Sequence, residues 1–188
     1  MTHTTILLEQ TTRWLEQVVI DLNLCPFARA PHAKGLVYIH ACPAPTFEEA
    51  IDQILDQLDE LLKLSSSERS TTLCVIPNAL LDFDDFLDAI DTLEYILETS
   101  HADQLIQIAH FHPDYTFENT DPDDVSNYTN RSPAPIIHLI RAEEVADAIT
   151  STPRIHDIPE NNINTLKDLG LTHMKNLLTS IKDQQTPS

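Results

Sequence analysis

Glycine is nearly absent: the 188-residue chain holds two. Loops that cradle phosphates need several glycines at fixed spacing, so neither a P-loop nor a dinucleotide fingerprint can be written here. Positive charge is also scarce, with 11 Lys and Arg against 30 Asp and Glu and a formal net charge of −19. No basic run forms a stripe that could follow a phosphate backbone, and the summed field repels polyanions. The expectation is no nucleic-acid partner and no membrane partner. The three cysteines, Cys25, Cys42 and Cys74, are odd in number and lack a C-x-x-C spacing, which points to reduced thiols rather than a disulfide framework. No apolar run approaches the roughly 18 residues of a membrane span, and the N-terminus lacks the basic, apolar and small-residue order of an export signal. A cytoplasmic protein without a cofactor is expected.

What is present suits one α/β domain, expected over residues 1–182 with a short tail at 183–188. A chain of this length buries about 70% of its unfolded surface and needs no staples. Apolar residues at three-and-four spacing predict a helix from Thr5 to Asn23, ending before Pro26, which pushes Cys25 out of helical geometry. Leu36 to Cys42 and Thr71 to Ile76 read as strands. Thr46-Phe47-Glu48-Glu49 is a capping box that opens a helix running to about Leu64. Asp82 to Thr99 is a third helix whose outward acids are solvated surface. Strands at Leu105 to Phe111 and Ile136 to Ile140 follow, then a helix from Ala142 to Thr150 broken at Pro153. A last helix, Asn161 to Asp183, is interrupted at Gly170. The order α-β-α-β-α-β-β-α-α implies a small layered domain with a mostly parallel sheet of about four strands. In such sheets ligands sit beyond the carboxyl ends of strands, where His112, Pro77 and Arg141 are expected.

The stretch from Gln107 to Arg141 concentrates polar side chains that a core does not need. It joins two strands through a long connection rich in Pro, Asp, Asn and Thr, and such connections are either functional or disordered. Tyr115, Phe117 and Tyr128 argue against disorder, because disordered segments are poor in aromatics.

Several motifs also carry a resemblance: Asn23-Leu24-Cys25-Pro26-Phe27-Ala28; Phe111-His112-Pro113-Asp114-Tyr115 with Phe117; Asn127 and Thr129-Asn130-Arg131-Ser132-Pro133 with Pro135, His138, Leu139 and Arg141; and Ile158-Pro159 with Asn162, Leu166 and Gly170. Together they resemble the bacterial domain-of-unknown-function family numbered fourteen-fifteen, over nearly the whole chain. The resemblance implies a fold family and no particular reaction, cofactor or catalytic residue. His110 stands where that pattern does not call for histidine.

Several chemistries remain open at these residues. His110 and His112, two apart on a strand, share a face at a spacing two imidazoles can use for a metal, with Cys25 or His138 as a third ligand. The sequence lacks the reinforcing spacings of a metal site, and packing on that face is the simpler account, so no metal is expected. Cys25 is either a nucleophile served by His112 or His138, or a structural thiol. At a helix C-terminus its thiolate is disfavoured unless Pro26 begins a new helical turn. Arg131, between asparagines and prolines, is either a two-point clamp for an anion or a staple tied to Asp121, Asp123 or Asp124. The leading expectation is a small-molecule enzyme with a pocket for a small anionic ligand. His112, Cys25 and Asp114 would be its catalytic residues; Arg131, Asn130, Asn127, His138 and Arg141 would bind the ligand. The alternatives are a non-catalytic ligand-binding or interaction module, and segments that simply hydrogen-bond to one another.

Overall fold

The computed structural model describes residues 2–151 and 154–183. Four β-branched and apolar runs form one sheet: β1 (Val37–Ala41), β2 (Thr71–Val75), β3 (Ile106–Phe111) and β4 (Ile136–Arg141), in the order β1-β2-β4-β3. The pair β1/β2 is parallel, while β4 runs antiparallel to both β2 and β3. The sheet is therefore mixed, which corrects the expectation of a mostly parallel one. The cause is the connection across residues 112–135: parallel neighbours need a crossover, usually a helix, and this segment holds only a short 3-10 turn at Val125–Thr129. The reversal places Arg141 at the end of the sheet opposite Pro77 and His112.

Helices cover both faces. On one face lie α3 (Phe47–Lys63) and α4 (Phe83–Ser100), whose Ile54, Leu61, Phe86 and Leu93 pack on Cys74, Ile137 and Leu139. Both helices begin as their cap residues dictate. The Thr46 hydroxyl accepts from the Glu49 N–H at 3.3 Å, and the Asp82 carboxylate accepts from the N–H groups of Asp84 and Asp85. The other face is covered by α1 (His3–Trp14), α6 (Ile158–Leu169) and α7 (Leu171–Asp183), with Trp14, Val18, Leu166, Met174 and Ile181 against Leu73, Val75 and Ile136. Gly170, at φ +82, makes the break between α6 and α7. The helix α5 (Ala142–Ser151) follows β4 directly. The break expected at Pro153 and the tail from 184 lie outside the described residues. Among the described residues no helix is long and apolar enough to cross a membrane.

The first helix does not end as an ordinary α-helix. Beyond Trp14 the chain widens into a π-wound segment, Leu15–Ile20, and then Asn23 adopts φ +55, the left-handed conformation that asparagine tolerates at helix ends. The Val19 carbonyl accepts from the N–H groups of Leu24 and Cys25 at 3.0 and 3.3 Å. After Pro26 a turn leads into a short helix, α2 (Arg29–Ala33), which periodicity did not reveal because it is barely one turn long.

Arg141 is 7% exposed and directs its guanidinium at the end of α3. It donates to the carbonyls of Leu61 at 2.7 Å and Leu64 at 2.6 Å, and to that of Arg69 at 3.3 Å. It ties the last carbonyls of α3 to the loop that follows, a cation where the helix end favours one. Arg141→Met should therefore cost about 2 to 3 kcal/mol, the range for losing buried bonds to a charged donor, measured as a shift in the urea midpoint at unchanged slope.

Candidate functional site

The polar segment between β3 and β4 turns most of its side chains on itself. His112 is fully buried. Its Nε2 donates to the Leu80 carbonyl at 3.1 Å, and its Nδ1 accepts from the Asp114 N–H at 3.1 Å. This assignment leaves a neutral ring with no nitrogen free for a substrate. Burial lowers its pKa, against smaller opposing effects of the Leu80 carbonyl and of Asp114 and Asp82. His110 shares its face, as the alternation requires; both rings lie against Phe86, at 6.3 and 5.0 Å between centroids. The β3/β4 register pairs Ala109 with His138, so His138 projects from the opposite face to His110. No common ion can be reached by His110, His112 and His138. Among the described residues no group of three His, Cys, Asp or Glu side chains is placed to hold a metal ion.

Asn127 is likewise fully engaged. Its Oδ1 accepts from the Phe117 N–H and the Thr120 hydroxyl, and its Nδ2 donates to the Asp121 carbonyl. Arg131 donates from Nε to the Tyr115 carbonyl at 3.1 Å and from Nη2 to the Pro122 carbonyl at 2.7 Å, with its guanidinium 4.7 Å from the centre of the Tyr128 ring. Of the two roles open to it, this is the geometry of the staple, with backbone carbonyls in place of the acids. Asp123 pairs with Lys175 instead, at 2.9 Å. The Asp114 side chain is exposed. Trp14 anchors the whole segment, its indole donating to the Arg131 carbonyl at 2.9 Å.

A concavity opens on the α1/α6 face of the sheet. It encloses about 580 Å³ between the π-wound segment, β3, the loop and α6. Its walls are Val19, Leu24, Ala109, Phe111, Phe117, Pro159 and Ile163, with polar groups from Thr120, Ser126, Thr129, Asn130 and Asn162, and Cys25 at one side. Asn130 and Cys25 thus meet in one cavity, whereas His112 and Arg131 do not reach it. No Lys or Arg lines it.

Cys25 also lines a second, narrower cavity of about 180 Å³, walled by Leu15, Phe27, Val37, Leu73, Ile140 and Val145 and carrying His138, Thr71, Ser70 and Glu144. Burial pushes the Cys25 thiol above its ordinary pKa, while the backbone N–H groups of Phe27 and Ala28 draw it part of the way back. Pro26 opens a turn rather than a helix, and the Ala28 N–H is bonded to the Cys25 carbonyl at 3.2 Å.

The Thr71 hydroxyl donates to the Leu139 carbonyl at 2.6 Å, so the 2.5 Å contact with His138 has Nε2–H as donor. Nδ1 is left as a free acceptor on a ring that lines the cavity. The other two cysteines lie on the far face of the sheet, fully buried; the Cys42 thiol beside it and burial hold Cys74 well above its usual range.

A family profile for a protein of unknown function, DUF1415, matches residues 6–176. The chain belongs to the DUF1415 family. No curated protein and no solved structure matches it. Within this DUF1415 chain the segments quoted above meet around Cys25: the first supplies the thiol, the third His138 and Asn130, and the last Pro159 and Asn162. Thr71, Val19 and Ile163 were not singled out by sequence, since a β-branched core run and a helix stripe look alike whether they face a core or a cavity.

Two outcomes follow for this site. Arg131→Lys keeps the charge and loses the fork, so the ligand-free protein should be destabilised by about 1 to 2 kcal/mol in urea unfolding. His138 is held neutral by burial, its pKa lowered from 6.5 to about 4. The stability it contributes is complete above the unfolded value and is lost as pH falls through that window. The stability–pH curve of His138→Gln should be flatter there, by up to about 3 kcal/mol at the acid end, with a residual slope from the other buried histidines.

Proposed function

We propose that this protein is a small-molecule enzyme whose substrate occupies the wide cavity and whose reactive group is the Cys25 thiol. The observation that carries the reading is that Cys25 is common to both cavities, with a histidine bearing a free nitrogen in the narrower one. A volume of about 580 Å³ with mostly apolar walls suits a metabolite-sized ligand. The segment at 107–141 still builds much of that wall, through Ala109, Phe111, Phe117, Thr120, Ser126, Thr129 and Asn130. Its contribution is shape and neutral polarity, because its arginines are turned onto backbone carbonyls. A neutral ligand, or one whose charge stays outside, therefore fits better than an anion. The non-catalytic alternative is favoured by the raised thiol pKa, since a thiol protonated at neutral pH is a weak nucleophile until something accepts its proton.

Alkylation distinguishes the two. In the folded protein iodoacetamide should modify Cys25 and leave Cys42 and Cys74 untouched, by peptide mapping, with a rate that climbs past the pH at which free cysteine levels off. Ile163→Trp, which fills the wide cavity from α6, should slow that labelling several-fold without lowering the melting temperature. Equal labelling of all three thiols, or a Cys25 inert until unfolding, would sink the proposal.

A further inference from the structure

The narrow cavity shows what kind of group the thiol would act on. Its surface is almost wholly hydrocarbon, from Leu15, Val37, Leu73, Ile140 and Val145, and the thiol borders it. It is also short. Ser70 and Glu144, which line both this cavity and an open outer groove of about 740 Å³, hydrogen-bond to each other at 2.5 Å where the two spaces meet. The wide cavity, which Cys25 also borders, is larger and more polar, with Asn130, Asn162 and Thr129 in its walls, their amides and hydroxyl bonded within the protein. A molecule bound across Cys25 would thus place a small apolar group in the narrow cavity and a larger, neutral group in the wide one.

Resting on the reading of Cys25 as the reactive group, we propose that the substrates are esters or thioesters of short-chain carboxylic acids, with the acyl chain in the narrow cavity and the leaving group in the wide one. In the step this implies, the Cys25 proton passes to His138 Nδ1 and the sulfur bonds to the acyl carbonyl carbon. The bond from that carbon to the ester oxygen or thioester sulfur then breaks, its electron pair leaving with the departing group. That group takes the proton from His138. The acyl group is left on Cys25 as a thioester, which water cleaves to free acid and thiol. Transfer onto Cys25 trades one ester-like bond for another, so no oxidant or cofactor is required. Burial keeps the thiol protonated, so its proton leaves as the sulfur attacks, and a histidine kept neutral by its surroundings readily gives that proton onward.

The test uses the full chain with the 4-nitrophenyl esters of acetic, butyric and octanoic acids. One equivalent of 4-nitrophenolate should be released in a burst, with mass spectrometry placing the acyl group on Cys25 and butyrate outpacing octanoate by about tenfold or more, as a bounded apolar slot discriminates. Cys25→Ser should abolish the burst. Val145→Phe, on the cavity's α5 wall, should shift the preference towards acetate while the melting temperature holds. His138→Gln should slow acylation at neutral pH and recover in alkaline solution, where solvent removes the thiol proton; a merely structural role would give a loss independent of pH. Acyl groups found on lysines, or on Cys25 with no dependence on chain length, would overturn the acyl assignment. If iodoacetamide still labels Cys25 alone, the reactive-thiol reading survives that failure.

Discussion

His112 is the tie on which the functional face depends. Its backbone N–H bonds to the Asn130 carbonyl and its own carbonyl accepts from Ser132 and Tyr115, joining the two ends of the loop. Its ring reaches sideways to Leu80, a residue forced to φ +56 in the turn between β2 and α4. A bulky residue in that conformation persists only where its surroundings over-determine it, and a buried imidazole donating to its carbonyl is one such constraint. One side chain thus fixes the end of β3, the turn before α4 and the return of the loop. Only then can Asn130, Thr129 and Phe117 be presented to the opposite side as a cavity wall.

The same economy explains why so many of the loop's polar side chains are turned inward. A segment crossing the end of a sheet must provide partners for its buried backbone groups. Here Asn127, Arg131 and Ser132 do so, each bonded to carbonyls or N–H groups within a few residues of the loop. Polar density in the sequence marked a place of high structural demand. The cavity lies next to it because the loop, once rigid, leaves a gap against α6 that small side chains such as Ala109 do not fill.

Much of the fold was legible. Thr46 and Asp82 announced their helices, β-branched runs gave the strands, and Gly170 gave the break between the last two helices. Alternation on β3 placed His110 and His112 together, as their shared contact with Phe86 requires. The direction of β4 was not legible, because a period of two is the same for parallel and antiparallel neighbours and only the crossover decides. Nor could the sequence tell that Arg131 would find carbonyls rather than the nearby acids, since both suit its fork. The pairing of Cys25 with His138 in one cavity rests on the sheet register and on a π-wound turn that no periodicity announces.

That turn has a consequence for how the thiol is held. A π-wound segment is in effect a residue too many for the helix that contains it. Wound instead as ordinary α-helix, the same six residues would turn everything after them by about a further 100°, one residue's worth of helix. Asn23, Leu24 and Cys25 would swing away from the Val19 carbonyl that now receives two of their N–H groups, while Trp14 and the core before it would hardly notice. The winding of this one stretch thus sets where the sulfur points.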